Sequence, residues 1–116
     1  MKILVLGILL VLAISGCGHD EKTWPTRSFD STVWHHTPEG ERYIFVKDLL
    51  NNQHLRGTSR SDIEKMLGKP SFVSNDGTYI TYIVRVDSGL IYLLDVRFVP
   101  MPNGGHVVSK AFVRTD

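Results

Sequence analysis

Apolar residues are distributed along this chain in several regimes, and each predicts a different kind of element. Residues 3–14 are apolar almost without a break, from Ile3 to Ile14, and follow a single basic residue, Lys2. A run of this length is too short to cross a hydrocarbon core of about 30 Å as a helix. From Gly18 to Ser31 the apolar period vanishes and His19, Asp20, Glu21, Lys22, Thr23, Pro25, Thr26 and Ser28 dominate, which predicts a flexible tether over 17–31. Trp24 and Phe29 interrupt it, suited either to docking on the downstream domain or to the level of lipid headgroups.

Two helices are predicted next. Tyr43, Val46, Leu49 and Leu50 recur at helical spacing behind Thr37 as N-cap and Pro38 at the first helical position, with Glu41 the alternative start because Gly40 weakens the first turn. That helix should end near Asn51-Asn52. The second lies in the run Leu55 to Pro70: Ser59 or Thr58 caps it, and Asp62 favours the positive end of its dipole. Ile63, Met66 and Leu67 form its apolar stripe, Gly68 suits a left-handed residue after the last turn, and Pro70 prevents continuation.

After Pro70 the period changes to two. Thr78–Val86 reads as a strand, Asp87-Ser88-Gly89 as a tight turn and Leu90–Val99 as the returning strand; a longer turn over 100–105 leads to a weaker third strand over 107–113. Leu90, Tyr92, Leu94, Val96 and Phe98 share one face with Ile80, Tyr82, Val84 and Val86 as partners, while Asp95 and Arg97 point the other way. The expected fold is α+β, two helices on the apolar face of a three-stranded antiparallel sheet formed by residues 32–116.

Composition then narrows the function. The chain has 116 residues, 13 Lys+Arg against 12 Asp+Glu, and one cysteine, Cys17. This suits one small domain, argues against binding nucleic acid through phosphate neutralisation, and excludes an internal disulfide or a multi-cysteine zinc site. One basic residue, an apolar segment and small residues have the layout of a secretory signal over 1–16. Ile14-Ser15-Gly16-Cys17 resembles the lipobox of bacterial lipoproteins. The resemblance implies that Cys17 becomes the first mature residue, carrying diacylglycerol and an amide-linked acyl chain such as palmitate. Each buried acyl CH2 contributes about 0.8 kcal/mol to membrane partition. In a Gram-negative host, Gly18 after the cysteine implies transfer to the outer membrane, facing the periplasm.

The run Leu55 to Pro70, with Gly57, Ser59, Arg60, Asp62, Ile63, Leu67, Gly68 and Pro70, resembles the signature of the SmpA/OmlA (BamE-like) lipoprotein family. The likeness implies a lipidated cell-envelope protein with two helices on a three-stranded sheet, in which Gly57, Ser59, Asp62, Gly68 and Pro70 shape helix ends. The function expected is a protein-binding or scaffolding module in outer-membrane assembly or maintenance. The alternative is an inhibitor or exclusion factor that blocks an envelope enzyme or receptor.

Catalysis is not expected. Ser59 has no histidine at a motif position, no Gly-x-Ser-x-Gly elbow occurs, and Asp95 with Arg97 reads as an exposed ion pair. His35, His36, His54 and His106 show no metal-ligand spacing, so neither a metal nor another cofactor is expected beyond the lipid on Cys17. Aromatic residues are in surplus: Trp34, Phe45, Tyr79 and Tyr92 are the candidate protein-binding positions.

Overall fold

A computed structural model describes residues 23–116; the signal-type segment 1–16 and Cys17 lie outside the described residues. Asp30 opens the first described helix, α1 (Ser31–His36), by accepting the Val33 N–H on its carboxylate. Thr37, expected to cap the next helix, instead closes this one, its hydroxyl donating to the Val33 carbonyl. A 3₁₀ segment, Glu39–Phe45, then runs directly into α2 (Val46–Asn52). Pro38 supplies no side-chain cap there, so the predicted helix is α-helical only in its second half. At the switch between the two windings the adjacent Phe45 and Val46 both turn inward, which single-period reasoning placed on different faces.

The third helix, α3 (Arg60–Leu67), follows its expected signals. Ser59 accepts the Asp62 N–H at 3.1 Å, Ile63 and Leu67 are buried, and Gly68 takes φ +84°.

The sheet is antiparallel with four strands in sequence order: β1 (Phe72–Val73), β2 (Tyr79–Asp87), β3 (Leu90–Pro100) and β4 (His106–Thr115). The expected sheet had three. β1 escapes pattern reading because it is two residues long, and it is held by Ser71 and Ser74 bonding to the backbone of β2. Ser88 and Gly89 both have positive φ, +52° and +86°, the two-residue turn that suits the right-handed twist of its strands.

Helices cover one face of this sheet. Trp34, Phe45, Leu49, Ile63 and Leu67 pack there against Ile80, Tyr82, Val84, Leu94, Val96 and Phe98. A bulge at Val84 changes the parity of β2: Ile83 pairs with Leu93, but Arg85 pairs with Tyr92. Arg85 is thereby delivered to the core side, 4.3 Å above the Tyr43 ring, and Val86, expected inside, is 59% exposed. Leu90, also expected inside, is exposed beside the turn.

The stretch before α1 is not a free tether where it is described. Trp24 is only 3% exposed, edge-on to Tyr43 and Tyr92, and Phe29 packs against Trp34. Arg27 N–H donates to the Ile44 carbonyl and Phe29 N–H to the Asp48 carboxylate. The packed domain therefore includes Trp24, and the expected boundary at residue 32 moves accordingly.

Candidate functional site on the uncovered face of the sheet

Pairing register places three rows of side chains on the face opposite the helices. Tyr79, Arg97 and Lys110 form one row, Phe72, Thr81, Asp95 and Phe112 the next, and Ile83, Leu93 and Arg114 the third. Asp95 stands in the middle. Expected as half of an exposed ion pair, it is fully buried on a face that none of the described helices covers.

Its neighbours bury it. Thr81 Oγ1 donates to Asp95 Oδ1 at 2.8 Å, Arg114 Nε donates to Asp95 Oδ2 at 2.8 Å, and Arg97 Nη2 stands 3.7 Å away. Desolvating a carboxylate is costly, and two close donors, one of them charged, offset that cost. The bond to Asp95 in turn holds the Arg114 guanidinium above its ordinary pKa.

Arg97 is clamped differently. Its guanidinium lies 4.5 Å over the Tyr79 ring and 5.7 Å from that of Phe112, and Lys110 reaches the Phe112 ring at 5.3 Å. Arg97 Nε is buried and finds no acceptor among the described residues. A depression of about 260 Å³ adjoins the cluster, with Phe72, Tyr79, Leu93, Arg114 and Asp116 among its walls. Phe72 at its rim is 57% exposed. Held donors and flat rings equip this face for hydrogen bonding, ion pairing and stacking.

Of the expected aromatic positions, only Tyr79 belongs to this surface. Trp34, Phe45 and Tyr92 are core residues and present no binding face. Trp34 Nε1 donates to the Leu67 carbonyl, and Arg42 Nε donates to the Trp34 carbonyl from over its ring. Burial holds the Arg42 guanidinium below its ordinary pKa, opposed by the charge of Glu39.

Gly57, Ser59, Asp62, Gly68 and Pro70 do not meet the cluster. Gly57 has φ +87° and donates its N–H to the Val108 carbonyl, so this run binds the loop before α3 to β4. Asp62 lies in the first turn of α3 with Lys65 3.9 Å away, and Pro70 precedes β1.

The described histidines are dispersed. His35 Nε2 lies 3.3 Å from the Lys65 carbonyl, His36 Nδ1 lies 2.8 Å from that of Thr32, and His54 and His106 are exposed elsewhere. Among the described residues no group of three or more His, Cys, Asp or Glu side chains is placed to hold a metal ion, and no helix is long and apolar enough to cross a membrane. Comparison with known protein families, curated proteins and solved structures produced no match.

Sequence reasoning missed Thr81, Phe112 and Arg114. A signal was present in Leu93-Leu94, since consecutive large apolar residues in a strand put one on each face.

Proposed function

We propose that this chain is a protein-binding module of the bacterial cell envelope, held at a membrane by lipid on Cys17 and acting as a scaffold or assembly factor. The observation that carries the reading is the uncovered face, where Arg97 is fixed between Tyr79 and Phe112 above a fully buried Asp95. Arginine and aromatic side chains held rigidly lose little entropy on binding, and they are enriched at the centres of protein interfaces. The lipobox-like Ile14-Ser15-Gly16-Cys17 supports the anchor, and Gly18 supports an outer-membrane location facing the periplasm. The SmpA/OmlA-like run supports a non-enzymatic envelope role.

The test is photo-crosslinking in cells, with a photoreactive residue at Tyr79 or Phe112 of the full chain. A discrete adduct with an envelope protein is expected from both positions and not from the exposed Ser61 of α3. Cys17→Ser should move the protein out of the membrane fraction. Equal adducts from Ser61, no adduct from the face, or membrane retention of Cys17→Ser would overturn the reading.

A further inference from the structure

We infer that the free edge of β4 receives an extended acidic segment of a partner protein, which joins the sheet as a fifth strand. This rests on the protein-binding role proposed above but puts the contact on a second surface.

Among the described residues β4 is the last strand of the sheet, and the backbone contacts to its outer edge lie at its start. Gly57 N–H donates to the Val108 carbonyl, Val108 N–H donates to the Thr58 carbonyl, and Ser59 bridges Val107. At the far end Asp116 N–H donates to the Ile91 carbonyl at 3.0 Å. Antiparallel alternation then turns Lys110, Phe112 and Arg114 toward β3 and directs the N–H and C=O groups of Ala111, Val113 and Thr115 outward. No hydrogen bond to another element takes those groups among the described residues. An open row of this kind is a template for an added strand, here about five residues long.

The chemistry beside the edge selects the strand. A depression of about 340 Å³ lies between β4 and the end of α2, walled by His54, Arg56 and Lys110 with Leu50, Leu55 and Ala111, and by no acidic residue among those described. Among the described residues Arg56 and Lys110 have no ion-pair partner, whereas Arg60, Lys65, Arg85, Arg97 and Arg114 all do. His54 holds a left-handed backbone, φ +51°, at a place after a helix where glycine or asparagine is less strained.

Along the added strand side chains would alternate. Carboxylates on one side meet Lys110, and apolar residues on the other lie beside Ala111 and Val113. In a second copy paired antiparallel about Phe112, Lys110 of each would stand against Arg114 of the other, and like charges across a ladder are destabilising; pairing about Val113 would set Lys110 against Asp116, so self-association is read separately in the test.

The chain as exported from cells, in detergent micelles, is titrated with a short peptide alternating Glu and Val, with its Lys-Val counterpart and with inorganic phosphate, following amide exchange by NMR. The Glu-Val peptide is expected to slow exchange at Ala111, Val113 and Thr115, while the Lys-Val peptide leaves them unchanged. Joint replacement Arg56→Glu and Lys110→Glu should weaken the Glu-Val peptide by about tenfold or more and favour the Lys-Val one. Equal binding of both peptides, no edge protection, the same shifts with phosphate alone, or edge protection from self-association without peptide would each overturn the inference. Crosslinks from Tyr79 or Phe112 of the unaltered chain, together with no edge protection, would remove the edge site while leaving the role proposed above standing.

Discussion

Trp34 donates its indole N–H to the Leu67 carbonyl across 2.9 Å, and through that bond α1 closes the end of α3. The last carbonyls of an α-helix have no partner within it. Here Ser31 Oγ donates to Met66, Trp34 Nε1 to Leu67 and Tyr82 Oη to Gly68, at 2.7, 2.9 and 2.8 Å, while His35 approaches Lys65. Burial raises the Tyr82 hydroxyl well above the ordinary tyrosine pKa, so it remains a donor throughout the neutral range.

Trp34→Phe keeps a ring in the core but leaves the buried Leu67 carbonyl without its donor. The expected loss of stability is about 1–3 kcal/mol, rising to about 3–5 kcal/mol for Trp34→Ala. Urea denaturation measures both, and a Phe variant as stable as the parent would show that the bond contributes nothing.

Gly68 combines positive φ with a close neighbour. A Cβ placed there would come within 3.0 Å of His35 Cε1. Gly68→Ala should destabilise by about 1–2 kcal/mol through its backbone strain alone, and pairing it with His35→Ala should recover only what the ring contact adds. Thermal unfolding of the single and double variants separates the two.

Asp95 and Arg114 should couple. Arg114→Ala leaves a buried carboxylate with Thr81 and a distant Arg97, at an expected cost of about 1–3 kcal/mol, reduced from the fully buried case because the arginine is partly exposed. A double-mutant cycle with Asp95→Ala should return a coupling of about 1–2 kcal/mol. A coupling of zero would mean that the bond is incidental.

The Phe29 N–H, followed by the Asn52 side chain, holds the Asp48 carboxyl below its ordinary pKa. The sign is that of a depressed acid: its stabilisation is complete above the unfolded value of about 3.9 and is lost as pH falls through the lower folded value. Acidification below about pH 4 should therefore speed amide exchange at Phe29. Asp48→Asn should flatten that dependence, and an unchanged profile would exclude the carboxylate as its cause.

Local chemistry was readable wherever the determining residues are neighbours in the chain. Ser59, Gly68 and Pro70 start and stop α3 through bonds and backbone angles within a few residues, and the Ser88-Gly89 turn likewise. α1 was missed because six residues show no apolar period, although Asp30 stood ready as its cap. Phe45 and Tyr92 were misplaced as surface candidates because helical and strand periodicity assign a face but not what later packs over it.

The amino-acid order alone determined the alternation of β2 and β3, the ends of α3 and the lipobox-like run before Cys17, all set by short-range geometry and composition. Tertiary structure decided that Trp24 docks, that the Val84 bulge sends Arg85 inward and Val86 outward, and that Asp95 disappears beneath Arg97 and Arg114. Each depends on side chains brought together from distant elements: alternation tells which way a residue points, and only the assembled sheet supplies the atoms that exclude water from it.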